Sequence, residues 1–410
     1  MGLGNLLFKQ QMTIGLTFGG FCLAFLLELG LNRLALIPWR KSVGQHWTER
    51  ARQLYPAQKS ARLNLWLIPV NVGLTCYIFW PEINCFLVGT LGFAGALLAS
   101  FFMSREVVSG LKFKTWLNLI VAGLLIFFIW WVVLIIAILN MPENFGWLTW
   151  VVAGVVLGIL LAFNFGLGIR LLKSFGLIKP ASDHLNTLVN EVAQKMGVPV
   201  IASWILSTYI SNAAAFPLTR QLVFTEKILE TSSDDEIKAV CAHELGHLNE
   251  PRRVLFVRLL TSLAFSPLVF VRPLSSLGQI GTNAYWMLMI GVLFIWLLGI
   301  RVARRMETRA DKIAVENQAD VAVYARALER LYETNQTPAV MPKRATKIHP
   351  NLYDRMLAAG VTPNYPRPEP ANGLCWTSYL MFACLFLVPV TICIIREVLE
   401  SITSVSIHVN

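Results

Sequence analysis

The 410-residue chain is 55% apolar and only 14% charged, which is too apolar for a soluble globular protein, and several of its apolar runs approach or exceed bilayer-crossing length. A net charge of +11 would suit a nucleic-acid binder, but the lysines and arginines gather in the loops between apolar runs, as membrane orientation requires, and this sets that class aside. Seven scattered cysteines, an odd number without a C-x-x-C pair, exclude a disulfide framework.

The first apolar run, about Thr13–Leu31 with Glu28 inside it, reads as a retained span and not a cleaved signal peptide. The loop after it carries Arg33, Arg40, Lys41, Arg50, Arg52, Lys59 and Arg62 against one acid, Glu49. Further spans are expected near Leu63–Trp80, Cys85–Met103, Trp116–Leu139 and Leu148–Leu172. The connections at 81–84 and 141–144 lack basic residues, whereas Arg105, Lys112 and Lys114, and later Arg170, Lys173 and Lys179, mark the other side. The positive-inside bias therefore puts the N-terminus outside and the segment after the fifth span in the cytoplasm.

That segment has soluble-domain composition. Ser182/Asp183 predict a helix through Met196 closed by Gly197, and Trp204–Ile210 and Gln221–Thr225 predict short strands. Ser233-Asp234-Asp235-Glu236 is a capping box, and Ile237, Val240 and Cys241 continue it at helical spacing until Pro251. Two apolar stretches follow, Leu255–Val271 and Tyr285–Ile300; the first is short, contains Arg258 and abuts Arg272, so alone it is an ambiguous span. If both cross or neither does, the chain returns to the side it left, and Arg301, Arg304 and Arg305 favour a cytoplasmic return. Leu374–Ile395 is the last expected span.

On the helix that starts at Ser233 lies His243-Glu244-Leu245-Gly246-His247. Histidines four apart share a helix face and can present two imidazoles to one metal ion, with Glu244 beside it as general base for a water. Two of only six histidines falling at ligand spacing around a glutamate, on a well-started helix, argues against two ordinary surface histidines. A catalytic zinc keeps three protein ligands and one open position. Glu307 and Asp311, one turn apart on a predicted helix, offer a third ligand and an acceptor to orient a ligand imidazole; spacing alone fits equally a solvated face, since Arg304, Arg305, Arg309 and Lys312 surround both.

His243-Glu244-x-x-His247, then Glu307-x-x-Ala310-Asp311 beyond two apolar stretches, resembles the membrane zinc metalloproteases that include HtpX-type quality-control proteases and type I CAAX prenyl proteases. Ser211-Asn212-Ala213-Ala214 is similar to that family's Asn-Ala-Phe-Ala edge segment, with Ala214 in place of Phe, and His349-Pro350 with Arg355 is similar to its His-Pro…Arg motif. The likeness runs from about Ser182 to Ala359. It implies one Zn2+ per chain held by His243, His247 and Glu307, and a substrate strand added along Asn212, Ala213 and Ala214. It also implies an oxyanion donor at His349, and Asp311 and Arg355 behind the ligands. By composition alone the 212–215 run is a turn-prone connector. Five spans ahead of the domain exceed those of HtpX-type proteins, which leaves the quality-control and CAAX subtypes both open.

The expected molecule is mostly α: a polytopic membrane protein of about eight spans with a cytoplasmic gluzincin-type metalloprotease domain containing a small β-sheet. Residues 1–172 form the N-terminal membrane domain, 173–373 the protease domain interrupted at about 255–271 and 285–300, and 374–410 the last span and tail. The expected function is zinc-dependent endopeptidase action on protein or peptide substrates, at the inner face of a bacterial cytoplasmic membrane and without nucleic acid. The rival is a membrane scaffold or transporter with a structural zinc, for which Cys241 is the nearest extra ligand, although it points off the histidine face.

Overall fold

The computed structural model describes residues 3–81, 83–318, 320, 322–342 and 350–407. His349 lies outside the described residues. The chain forms two compact units, one of Met1–Lys112, Gln336–Pro342 and Pro368–Asn410, the other of Phe113–Asn335 and Lys343–Arg367. The apolar helices that start at 113 and 147 thus fall in the same unit as the motif helix.

In the first unit α1 (Leu3–Ala35), α2 (Trp47–Phe79), α3 (Cys85–Val107) and the last helix, Trp376–Ile407, bundle together. Ala24 of α1 meets Gly92 of α3, and a Cβ on Gly95 would collide with the Phe21 carbonyl, so small residues bring these helices close without a hydrophobic driving force between them. Glu28 is fully buried on α1 and accepts a bond from Asn32 Nδ2 at 2.8 Å.

The second unit opens with α4 (Phe113–Asn140) and α5 (Trp147–Ser174), then β1 (Ile178–Pro180), α6 (Asp183–Met196), β2 (Ala202–Leu206), β3 (Ala213–Phe216) and β4 (Gln221–Thr225). α5 bends at Gly166, whose φ of +95° a side chain would strain. Ser182 caps α6 and Gly197, at φ 65°, ends it, as the sequence predicts. The sheet order is β1-β2-β4-β3, with β2 parallel to β4 and β3 antiparallel to β4, so β3 is an edge strand. Asn212 extends the pairing, exchanging bonds with Thr225, which settles the 212–215 run as strand and not connector.

α7 (Asp234–Leu248) carries the motif and begins at the predicted capping box, Ser233 and Glu236 bonding each other's backbone N–H. It is buried along nearly its whole length, among α6, β3, α9 (Gly278–Glu316) and α10 (Ala322–Thr334). Between α7 and α9 runs α8 (Arg252–Leu263), prolonged by a 3-10 turn and a short helix to Ser275.

Among the described residues six helices are long and apolar enough to cross a membrane: Gln10–Lys41, Cys85–Val107, α4, α5, Arg252–Ser275 and α9. Of the eight or so expected, Leu63–Trp80 is the second half of α2, where Asn64, Pro69, Asn71 and Thr75 interrupt the apolar run, and the last helix offers the shorter apolar segment Trp376–Leu387. The ambiguous stretch qualifies by length and composition, and its arginines find acidic partners. Arg258 meets Glu250, while Arg272 meets Glu143 in the α4–α5 connection and the Leu139 carbonyl in the last turn of α4.

Candidate metal centre

α9 is 39 residues long, about 58 Å of continuous helix. Its first part is apolar; Arg301, Arg304 and Arg305 follow, and then Glu307 and Asp311, one turn apart. Ala310 and Ala314 are buried, so this polar end docks on α7 through small residues. Gly246 is the contact point on α7, where an added Cβ would sit 3.3 Å from the Ala310 Cα. Gly246→Val should therefore wedge the helices apart, an overpacking cost of about 1–3 kcal/mol. Glu307, one turn before Ala310, should then draw off the imidazoles; chelator competition on the purified protein should show weakened metal binding, and unchanged affinity would disprove the wedge.

The helices bring three sequence-predicted residues into one group. Glu307 Oε2 lies 3.5 Å from His243 Nε2, and Glu307 Oε1 3.5 Å from His247 Nε2. The imidazoles are inclined at 79° with centroids 5.0 Å apart. Among the described residues this is the one group of three such side chains whose donor atoms all lie within 4.8 Å of one another. Tetrahedral ligands about 2.0–2.1 Å from a zinc ion stand roughly 3.3 Å from each other, so two imidazoles and a carboxylate at these separations fit a single divalent ion.

The far side of each ring is already engaged. Tyr324 donates its hydroxyl proton to Asp311 Oδ1 at 2.6 Å, and its oxygen lies 2.8 Å from His243 Nδ1, which is also 3.1 Å from Asp311 Oδ1. Arg355, on the short helix α11 (Leu352–Ala358), donates from Nε and Nη2 to Asp311 and from Nη2 to Tyr324. Arg355 is thereby paired with Asp311. His247 Nδ1 lies 3.0 Å from Glu250 Oε1. With both Nδ1 atoms bonded to acceptors, both Nε2 atoms are left to face Glu307.

Negative charge dominates the surroundings of His243. Burial disfavours the His243 imidazolium, but the hydrogen bonds to Asp311 and Glu307 and the charge of Glu244 outweigh it and carry the pKa up to about 9. A metal ion would take the place of that proton. Burial also pushes the Glu250 carboxyl up, and His247 and Arg258 more than reverse this, leaving it below the usual carboxylate value. Burial keeps the Tyr324 hydroxyl protonated, hence a donor. Burial first and the Glu244 charge second push the Cys241 thiol up, and its sulfur is not among the converging donors.

Glu244 is buried next to His243 on α7, and Asn212, Ala213 and Ala214 lie on the β3 edge packed near α7. A cavity of about 290 Å³ opens beside His247 and Glu307, walled by Val257, Thr261, Gly299 and Met306. It shares Thr261 and Ser262 with a second cavity of about 380 Å³ that reaches from Phe216, at the end of the edge strand, to Trp131, Asn164 and Trp296 among the apolar helices. Tyr324, Glu250 and Arg258 were missed as site residues. Glu250 alone left a sequence signal, its i,i+3 spacing from His247.

Residues 181–360 match the family model Peptidase family M48. The chain is similar to proteins named "Protease HtpX homolog" from Polynucleobacter necessarius subsp. necessarius (27% identical over 187 residues, 43% of this chain and 63% of that protein) and Sulfurihydrogenibium sp. (22% over 199 residues, 42% and 64%). A third is the protein of that name from Thermoplasma acidophilum, 29% identical over 120 residues, 28% of this chain and 37% of that protein. The chain thus spans less than two thirds of the length of the curated relatives it matches. The likeness to HtpX-type membrane metalloproteases, expected over about Ser182–Ala359, is borne out across almost the same residues.

Proposed function

We propose that this chain, whose residues 181–360 match the model of peptidase family M48, is a zinc-dependent endopeptidase of the membrane with its site on the cytoplasmic face. One observation carries the reading: two imidazole Nε2 atoms converge on a carboxylate that arrives from beyond a membrane-length hairpin. His243, His247 and Glu307 would hold the ion. Bound there, it would supply Lewis-acid polarisation of water and of the scissile carbonyl.

The rest is work for the protein's own side chains. Glu244 takes the proton from the attacking water and delivers it to the leaving amine. Asp311 and Tyr324 hold His243 in one tautomer, and Arg355 keeps Asp311 charged and in place. The free edge of β3 would take an extended substrate as an added strand, through main-chain bonds at Asn212–Ala214. His349 is assigned, on sequence alone, as a donor to the oxyanion. The cytoplasmic side rests on the arginines at 301, 304 and 305 together with the other basic loops. A structural-metal scaffold would call for a fourth protein ligand, and among the described residues Cys241 does not join the His243, His247 and Glu307 group.

Two neighbouring cavities that share Thr261 and Ser262 favour a substrate whose chain comes from the bilayer, either a damaged membrane protein or a prenylated C-terminal peptide. The deciding experiment is proteolysis by the purified, zinc-loaded full chain in lipid, offered an unfolded membrane protein in one arm and a prenylated peptide in the other. Cleavage is expected with one metal ion per chain. Absence of cleavage in both arms, with the metal bound, would defeat the protease reading.

A further inference from the structure

The motif helix ends at Leu248, and its last turn is gripped from two sides. Glu250 comes three residues after His247, and its side chain is only 1% exposed. One oxygen faces His247 Nδ1 at 3.0 Å, and both accept from Arg258 Nη1 at 2.8 Å. Arg258 stands on α8, the helix that enters the first half of the membrane-length hairpin. From the second half, Arg309 Nη2 reaches the Asn249 carbonyl at 3.1 Å, two residues past Glu307. Arginines from both arms of the hairpin therefore meet the C-terminal end of the motif helix, where unpaired carbonyls favour positive charge.

The chemistry of this contact bears on His247. An imidazole that offers Nε2 to a metal must carry its proton on Nδ1, and an acceptor there fixes both tautomer and ring direction. A buried carboxylate serves as that acceptor only while a cation offsets its charge. Arg258 is that cation. Its removal would leave nothing to hold both Glu250 oxygens in place, and the carboxylate could turn away from Nδ1 and release the ring from its one direction. His243 has an analogous arrangement in Asp311 and Arg355, but that counter-cation comes from α11, whereas Arg258 belongs to a helix of membrane length.

We propose that Glu250 and Arg258 are a positioning pair that sets His247 for metal binding and ties the metal affinity of the centre to the seating of the α8–α9 hairpin. The proposal rests on the metal reading of His243, His247 and Glu307. An ordinary ion pair at a helix end would contribute stability and nothing more, and α7 supplies the comparison. At its other end the buried Glu236 pairs with Arg330 at 3.0 Å, remote from the ligands.

The test is zinc affinity by chelator competition on the full chain in lipid, with no activity needed. Arg258→Ala and Glu250→Gln should each weaken zinc binding about 10–100-fold, as loss of a ligand-orienting partner does elsewhere. Glu250→Gln keeps the size and one acceptor oxygen, so it guards against a misfolded alanine variant. Arg258→Lys should restore part of the loss, because a point charge can still offset Glu250. Arg330→Ala should leave zinc affinity within about twofold of wild type, the behaviour of a pair that serves stability alone. Affinities for Arg258→Ala and Glu250→Gln that fall no further than for Arg330→Ala would overturn the proposal while leaving the metal site standing. A wild-type chain that binds no zinc would instead sink the metal reading itself.

Discussion

Glu244→Gln should bind as much zinc as the wild type and cleave peptides about 10²–10⁴-fold more slowly, the usual contribution of a positioned general base. Glutamine keeps the volume of the buried side chain beside His243 and disturbs none of the three metal donors. What it lacks is a basic oxygen to receive the proton of the attacking water. Metal content by elemental analysis, with cleavage of an unfolded membrane protein measured on the same sample, separates the two properties. Turnover within about tenfold of wild type would remove Glu244 from the mechanism.

Arg355→Ala should be the most damaging single change to the second unit outside the donors. Its side chain is 7% exposed and holds Asp311 through two bonds and Tyr324 through a third. Truncation would leave the Asp311 carboxylate buried against His243 without a counter-cation, a loss of about 3–5 kcal/mol for a broken buried pair. The Tyr324 hydroxyl would lose a donor in the same step. Denaturant unfolding of the full chain in detergent should show a lower midpoint, with Arg355→Lys falling between the two. A midpoint equal to wild type would mean that the triad of Asp311, Tyr324 and Arg355 does not hold the fold at the site.

Local chemistry made α6 and α7 readable in advance. Ser182 and Gly197 bracket one, and the Ser233/Glu236 box starts the other, each through backbone bonds made within a few residues. The pairing of His243 with His247 followed from helical spacing. Glu307 did not: spacing left it balanced against a solvated arginine-rich face, and it was the family resemblance that singled it out. Tyr324 was invisible because its partner His243 lies 81 positions away and no periodicity links them. Arg258 looked like a charge stranded in an apolar stretch, since its acceptor Glu250 sits across a proline-marked break. The edge strand was hidden by composition: alanines are poor strand formers, and β3 exists because β4 offers it a ladder. The expected span Leu63–Trp80 coincides with the second half of α2, where an apolar average concealed asparagines and a proline.

The unbroken length of α9 works as a ruler. Six residues separate Arg301 from Glu307, about 9 Å of rise, which is close to the depth of one lipid headgroup layer. On the protease reading proposed above, a bond presented between His243, His247 and Glu307 would stand just above the hydrocarbon surface. Polypeptide leaving the bilayer would reach that height after only a few extended residues. A tightly folded domain abutting its own anchor would not, so local unravelling, more than sequence, would become the condition for being cut.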